Sequence, residues 1–332
     1  MKSLRVLVAL TTVVLLTLPL ILIAQRPLTF GTWAPPNSLW DRALKRMAAD
    51  VQKTTNRRVR FRVAAQSQGD ESAIVRRLAL GTTQAAALTQ PALSGLDDAF
   101  KVFGMPFFLE SDDETRHVLE SLRPTLEQAL ARHDLVLLNW GHAGWAHLFS
   151  ADPIKSVQDI KNAKLFTSAG DDTMVAWWKQ HGFDPVPLDF SDVPIGLNTG
   201  LINAYPFPPY AALLLQYYRA APNMLDLPLG PVVGATVINK QSWDRLREED
   251  RAAIRSAGER VERNLFLDVP RQDAEAVVEM KKRGLDVVIL DARVHADFRQ
   301  TADEMNASMR GSIVPAAVYD QAVRSRNEFR RR

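Results

Sequence analysis

Pro153-Ile154-Lys155-Ser156-Val157-Gln158-Asp159-Ile160-Lys161-Asn162-Ala163-Lys164-Leu165-Phe166-Thr167 decides how the rest of the chain is read. A proline opens it, a short turn enters a helix, a basic loop follows, and Ala163–Ser168 reads as a strand. The same unit recurs outward in both directions. Upstream, Leu28–Trp33 is a first strand, and Ser38 caps a helix marked by Leu39, Ala43, Leu44, Met47 and Val51. Val59–Ala64 is a second strand. Asp70–Leu80 is a second helix ended by Gly81. Ala85–Thr89 and Leu135–Trp140 are short buried strands. Downstream, Pro185–Leu188 and Thr236–Asn239 are strands, and the chain is helical from Gln241 onward except at Val287–Leu290. This alternation specifies an α/β fold, with mostly parallel sheets flanked by helices on both faces.

The 332 residues are too many for one small core and suit two α/β domains. Apolar residues make up 46% and charged residues 24%, a globular composition. A net charge of +3 on scattered arginines gives no basic stripe, so nucleic acid is not an expected partner. Arg57-Arg58-Val59-Arg60-Phe61-Arg62 reads as an amphipathic strand with solvated arginines. The absence of cysteine excludes disulfides, thiolate metal sites, a cysteine nucleophile and a lipid-modified N-terminal cysteine.

Lys2 and Arg5 followed by the apolar run Val6–Ile23 read as an export signal. Leu22-Ile23-Ala24 is a mediocre cleavage site, and the run is close to spanning length, so residues 1–25 are a signal peptide or an uncleaved anchor. Both place the remainder outside the cytoplasmic membrane, in the periplasm. The expected division is domain I over 26–148 plus about 232–260. Domain II covers 149–231 plus about 261–325 with the C-terminal helices. Those charged helices read as solvated surface, with a homodimer contact as the alternative.

Open parallel sheets bind ligands at the carboxyl ends of their strands. The strand ends supply Trp33, Gln66, Thr89, Gln90, the stretch Trp140 to Trp145, Phe166, Phe190 and Phe207. The rigid turn Tyr205-Pro206-Phe207-Pro208-Pro209-Tyr210 adds Tyr210. Trp177, Trp178 and Trp243 read chiefly as packing. His142 and His147 lack a convincing ligand spacing and a third partner, so no metal is expected. There is no G-x-S-x-G elbow and no glycine-rich phosphate loop, hence no catalytic residue and no cofactor.

Taken in order, the motifs resemble the solute-binding proteins of TRAP (tripartite ATP-independent periplasmic) transporters. The resemblance is carried by the opening segment, Thr54-Thr55-Asn56-Arg57-Arg58-Val59, Gly69-Asp70-Glu71 with Gly81, and Pro106-Phe107-Phe108. Asn139-Trp140-Gly141 with Gly144-Trp145 continues it, followed by Asp189-Phe190-Ser191-Asp192 and Leu197-Asn198-Thr199-Gly200-Leu201-Ile202-Asn203. Asn239-Lys240, Trp243-Asp244 and Leu246 complete it. The resemblance implies a two-domain periplasmic binding protein fold with a ligand cleft between domains. It implies a non-enzymatic receptor that closes around a small molecule and hands it to membrane permease subunits. A carrier or sensor not coupled to import is the alternative.

In the family an arginine at the position of Phe166 clamps the solute carboxylate. A second arginine falls at Ala146, an asparagine at Phe207 or Pro206, and an acidic residue at Gln90. A charge-assisted arginine–carboxylate contact contributes roughly 1.5–3 kcal/mol net, and an unpaired carboxylate in a closed cleft costs several kcal/mol. Burying ~200 Å² of apolar ligand contributes about 5 kcal/mol before association costs. The expected ligand is therefore apolar or aromatic, gripped by Trp33, Trp145, Phe166, Phe190, Phe207 and Tyr210. Gln66, Thr89 and Gln90 orient a polar end. Phe166 as ordinary core is the competing reading.

Overall fold

A computed structural model describes residues 26–332; the export segment expected over 1–25 falls outside the described residues. In chain order the elements begin β1 (Leu28–Thr32), α1 (Leu39–Thr54), β2 (Phe61–Ala65), α2 (Glu71–Ala79), β3 (Ala85–Thr89) and α3 (Gln90–Ser94). After a 3₁₀ turn at Asp98–Gly104 come α4 (Asp112–Ala131), β4 (Leu135–Ser150), α5 (Val157–Asn162), β5 (Lys164–Ser168), α6 (Asp172–Gln180) and β6 (Asp184–Leu188). Then follow α7 (Val193–Thr199), β7 (Ala204–Phe207), α8 (Pro209–Leu215), β8 (Asn223–Leu225) and β9 (Gly230–Asn239). The chain closes with α9 (Lys240–Asp244), α10 (Glu248–Lys282), β10 (Asp286–Val288), α11 (Ala292–Met309) and α12 (Ala316–Arg330).

Local sequence explains the helix starts. Ser38, Asp70, Ser156 and Asp171 each accept a hydrogen bond from the N–H three residues on, which satisfies an otherwise orphaned donor. Asp172 then places negative charge in a first turn, where the helix dipole favours it.

The strands run in the order β2-β1-β3-β9-β4-β7-β5-β6, with β8 also on β4 and β10 on β8. The outer pairs β1/β2, β1/β3, β5/β6 and β5/β7 are parallel, as the alternating pattern requires. The centre differs from a simple parallel reading. β9 runs antiparallel to β3 and β4, and β4 runs antiparallel to β7 and β8. Strand β4 is 16 residues long, well beyond the Leu135–Trp140 run legible in the sequence. Its residues 135–146 pair with β9 and residues 147–150 with β7 and β8, so it serves both halves of the fold. Glycines and histidines interrupt its apolar pattern after Trp140, and pairing rather than periodicity carries it on.

At the crossing β4 is bulged between His142 and Trp145. Gly144 sits there at φ 113, and a Cβ at that position would collide with Asp273 Oδ2. Asp273 comes from α10, a helix of 35 residues and about 52 Å. Its Val261 and Leu265 pack with the α1–β1 half, and its Met280 packs with the β5–β7 half. The expected division near residue 260 therefore falls inside one continuous helix.

Alternation along the second set of strands produces two distinct faces. Phe149, Phe166, Tyr205 and Phe207 share one cluster. Leu148, Leu165 and Ala204 share another with Phe298 and Ala302 of α11.

Candidate ligand-binding site

A cavity of about 740 Å³ lies between the carboxyl ends of β1 and β3 on one side and those of β5, β6 and β7 on the other. That is within the range of about 300–1,000 Å³ typical of small-molecule sites. Trp33, Thr89, Gln90, Phe166, Phe190 and Phe207 all line it. Phe166, Phe190 and Phe207 form a triangle with ring centroids 5.6, 6.0 and 5.7 Å apart. Trp33 reaches across from the end of β1 to sit 5.1 Å from Phe190. Such tilted and edge contacts suit the aromatic quadrupoles, and packing covers most of Phe166 and Phe207, which are 3% and 6% exposed.

The polar candidates are partly committed. Thr89 donates its hydroxyl and its backbone N–H to Glu71. Gln90 Nε2 donates to Ser94 Oγ at 2.6 Å and to the Phe100 carbonyl at 3.3 Å.

Three candidates stand away from the lining. Gln66, at φ 52, donates Nε2 to the Trp33 carbonyl at 3.2 Å and so braces the Trp33 turn. Trp145 donates Nε1 to Asp112 at 2.7 Å, which draws its indole toward α4. Tyr210 packs on Trp40 at 5.2 Å, and its hydroxyl accepts from the Leu39 N–H at 3.2 Å. Asp273 fixes both backbones, accepting from Trp145 N at 3.3 Å and Tyr210 N at 2.9 Å. These residues build the crossing between the two halves, a role that the aromatic composition of their segments does not reveal.

The remaining tryptophans and histidines divide by burial. Trp177 is buried and donates Nε1 to Ser308, whereas Trp178 lines the cavity. Trp243 is core. His142 stacks on Phe266 at 4.9 Å, and His147 Nδ1 lies 2.9 Å from the Leu225 carbonyl. Among the described residues no group of His, Cys, Asp or Glu could hold a metal ion.

Set beside known proteins, residues 30–311 match the family described as bacterial extracellular solute-binding protein, family 7. The chain belongs to this family. It is a TRAP-type extracytoplasmic solute-binding protein, periplasmic in kind and not an enzyme. A solute-binding protein of Chromohalobacter salexigens is 24% identical over 304 residues, covering 89% of this chain and 84% of that one. The sialic acid-binding periplasmic protein of Vibrio cholerae is 21% identical, covering 81% and 84%. Among solved structures, a Bordetella pertussis extracytoplasmic solute receptor that binds pyroglutamic acid aligns with a TM-score of 0.82 at 19% identity. It covers 91% of this chain and 99% of that one. At that identity the structural match speaks for the fold.

This solute-binding protein carries charges in its cleft that the strand-end reading overlooked. Asp70, Glu71, Arg76, Asp171 and Asp189 all line the cavity. Gly69-Asp70-Glu71 was legible only as a helix start. Glu71 is buried, and that burial pushes its carboxyl up to about 7 against the hydrogen bonds from Thr89, with the Asp70 charge adding to the rise. Across the cleft, burial and the facing Asp70 raise Asp189 above its ordinary value. Lys101, itself buried, bridges the two halves by an ion pair to Asp171 at 2.9 Å.

Proposed function

We propose that this receptor captures an apolar or aromatic-rich, uncharged molecule and delivers it to the membrane permease of a TRAP transporter. The observation that carries this reading is the character of residues 146, 166 and 207. All three line the cavity, and they are alanine and two phenylalanines. They occupy the positions at which the resemblance implies carboxylate-binding side chains. The lining charges reinforce the point, because Asp70 and Asp189 line the cavity beside Asp171, which is paired with Lys101, and Glu71, which burial raises toward neutrality. An anionic solute would lose its hydration beside like charges, without a phenylalanine able to compensate it. Phe190 and Trp33 supply faces on which an apolar ring or chain gains area instead.

Capture proceeds by closure of two lobes, 26–148 with about 232–260 and 149–231 with about 261–325, about the crossing strands β4 and β9. Trp33 against Phe190 and Lys101 against Asp171 are contacts that closure makes.

The test is native mass spectrometry, with organic extraction, of protein purified from the periplasm. A co-purifying apolar molecule is expected, and it names the ligand class. A tightly bound sugar acid or dicarboxylate in its place would overturn the apolar reading while leaving the receptor assignment intact.

A further inference from the structure

The cavity does not end at the aromatic triangle. Strand β5 lines it with both of its faces, since Leu165, Phe166, Thr167 and Ser168 all contribute. Successive side chains on a strand point to opposite sides, so two spaces meet at the end of β5. The front space is the triangle of Phe166, Phe190 and Phe207. The back space lies beside Leu148 and Leu165, and α11 closes it with Phe298, Ala302 and Met305. The charged lining residues stand along α2 and just beyond the ends of β5 and β6. The back wall on α11 carries none. Thr167 adds one further feature, because its hydroxyl is buried without a hydrogen-bond partner.

We infer that the space behind β5 is a second subsite, which takes the apolar extension of an elongated ligand whose other end rests on the aromatic triangle. This rests on the apolar reading of the cleft and deepens it. A compact ligand of any polarity fills only the front space. A long-chain or polycyclic molecule bends around the carboxyl end of β5 and displaces water from both. The unpaired Thr167 hydroxyl favours a molecule with one hydroxyl or carbonyl group over a plain hydrocarbon.

The experiment compares hexan-1-ol and dodecan-1-ol as probes, titrated into the delipidated exported protein and into Ala302→Phe, by calorimetry or tryptophan fluorescence. The wild type is expected to bind dodecan-1-ol more than about tenfold tighter than hexan-1-ol, because the longer chain buries more apolar surface. Ala302→Phe fills the back space and is expected to erase that preference while leaving hexan-1-ol affinity unchanged. Thr301→Phe, at a half-buried cavity position on the same helix, repeats the test if Ala302→Phe does not fold. A preference that survives both substitutions, or no preference in the wild type, overturns the second subsite and leaves the apolar front cleft standing. Failure of the wild type to bind either alcohol overturns both readings.

Discussion

The wall of the cleft built on β5, β6 and β7 presents Phe166, Phe190 and Phe207, with Asp171 and Asp189 at its strand ends, whereas the facing wall along α2 presents Asp70, Glu71 and Arg76. Both walls sit at strand ends of similar α/β units, yet they handle burial differently. The aromatic wall is continuous with the core behind it, since Phe166 and Phe207 belong to the same cluster as Phe149, Tyr205 and Tyr217. Its shape is therefore held by packing. On the charged wall, Glu71 is held by two hydrogen bonds from Thr89 and is raised toward neutrality by burial. In one lobe the cavity wall is an extension of the core; in the other it includes buried polar groups held against their desolvation cost.

The sharpest way to break this contrast is Phe166→Arg. A guanidinium in place of the Phe166 ring loses that ring's packing on Phe190 and Phe207, and a buried charge left unpaired there destabilises by up to about 5 kcal/mol. Urea denaturation is expected to show that loss, together with loss of apolar-probe binding. A stable variant that binds a sugar acid tightly would mean that the aromatic wall is a carboxylate site lacking only its arginine.

Phe207→Ala removes a ring that touches Phe166, Phe190, Tyr205 and Tyr217. The expected cost is about 3 kcal/mol, with a matching loss of affinity for apolar probes. A loss of affinity without a loss of stability would separate the recognition wall from the core.

The charged wall is probed by pH. The Glu71 carboxyl titrates near 7 in the folded protein against an ordinary 4.5, so the folded state holds more protons than the unfolded chain between those values. Stability is therefore expected to fall as pH rises from about 4.5 to 7 and to level off above. Asp273, raised to about 7 by burial, adds to the same slope. Glu71→Gln removes one share of it. Thermal melts are expected to show little difference from wild type near pH 5 and a variant more stable by about 2–3 kcal/mol near pH 8. Equal stabilities at both pH values would show that Glu71 is solvated on this wall.

The smallest effect is expected from Arg76→Gln, an exposed residue whose hydrogen bond to Ser72 lies within its own helix. Stability should change by no more than about 0.5 kcal/mol. A large drop in ligand affinity at unchanged stability would assign Arg76 to the head of the ligand and narrow the uncharged-ligand reading.

Much of the fold is legible in the sequence. Ser38 announces a helix start through its position before a helical pattern, and Ala85–Thr89 reads as a short buried strand. Local hydrogen bonds and local alternation set these features, so neighbouring residues suffice to read them. The second half of β4 was not legible, because its register is fixed by β7, β8 and β9 rather than by its own pattern. The site divides the same way. The strand ends supply Trp33, Phe166, Phe190 and Phe207, and all four line the cavity. Trp145 and Tyr210 looked equivalent, yet Asp273, more than sixty residues along the chain from either, fixes their backbones at the crossing instead.

The sequence by itself determined the order of strands and helices, the helix caps, the family and the aromatic character of positions 166, 190 and 207, because each is written in residues close together or in a fixed order. Only the tertiary structure decided which face of each strand meets the cavity, that Glu71 is buried at its edge, and that α11 closes a space behind β5. Those outcomes depend on burial between segments far apart in the chain, and burial is a property of the assembled fold rather than of any stretch within it.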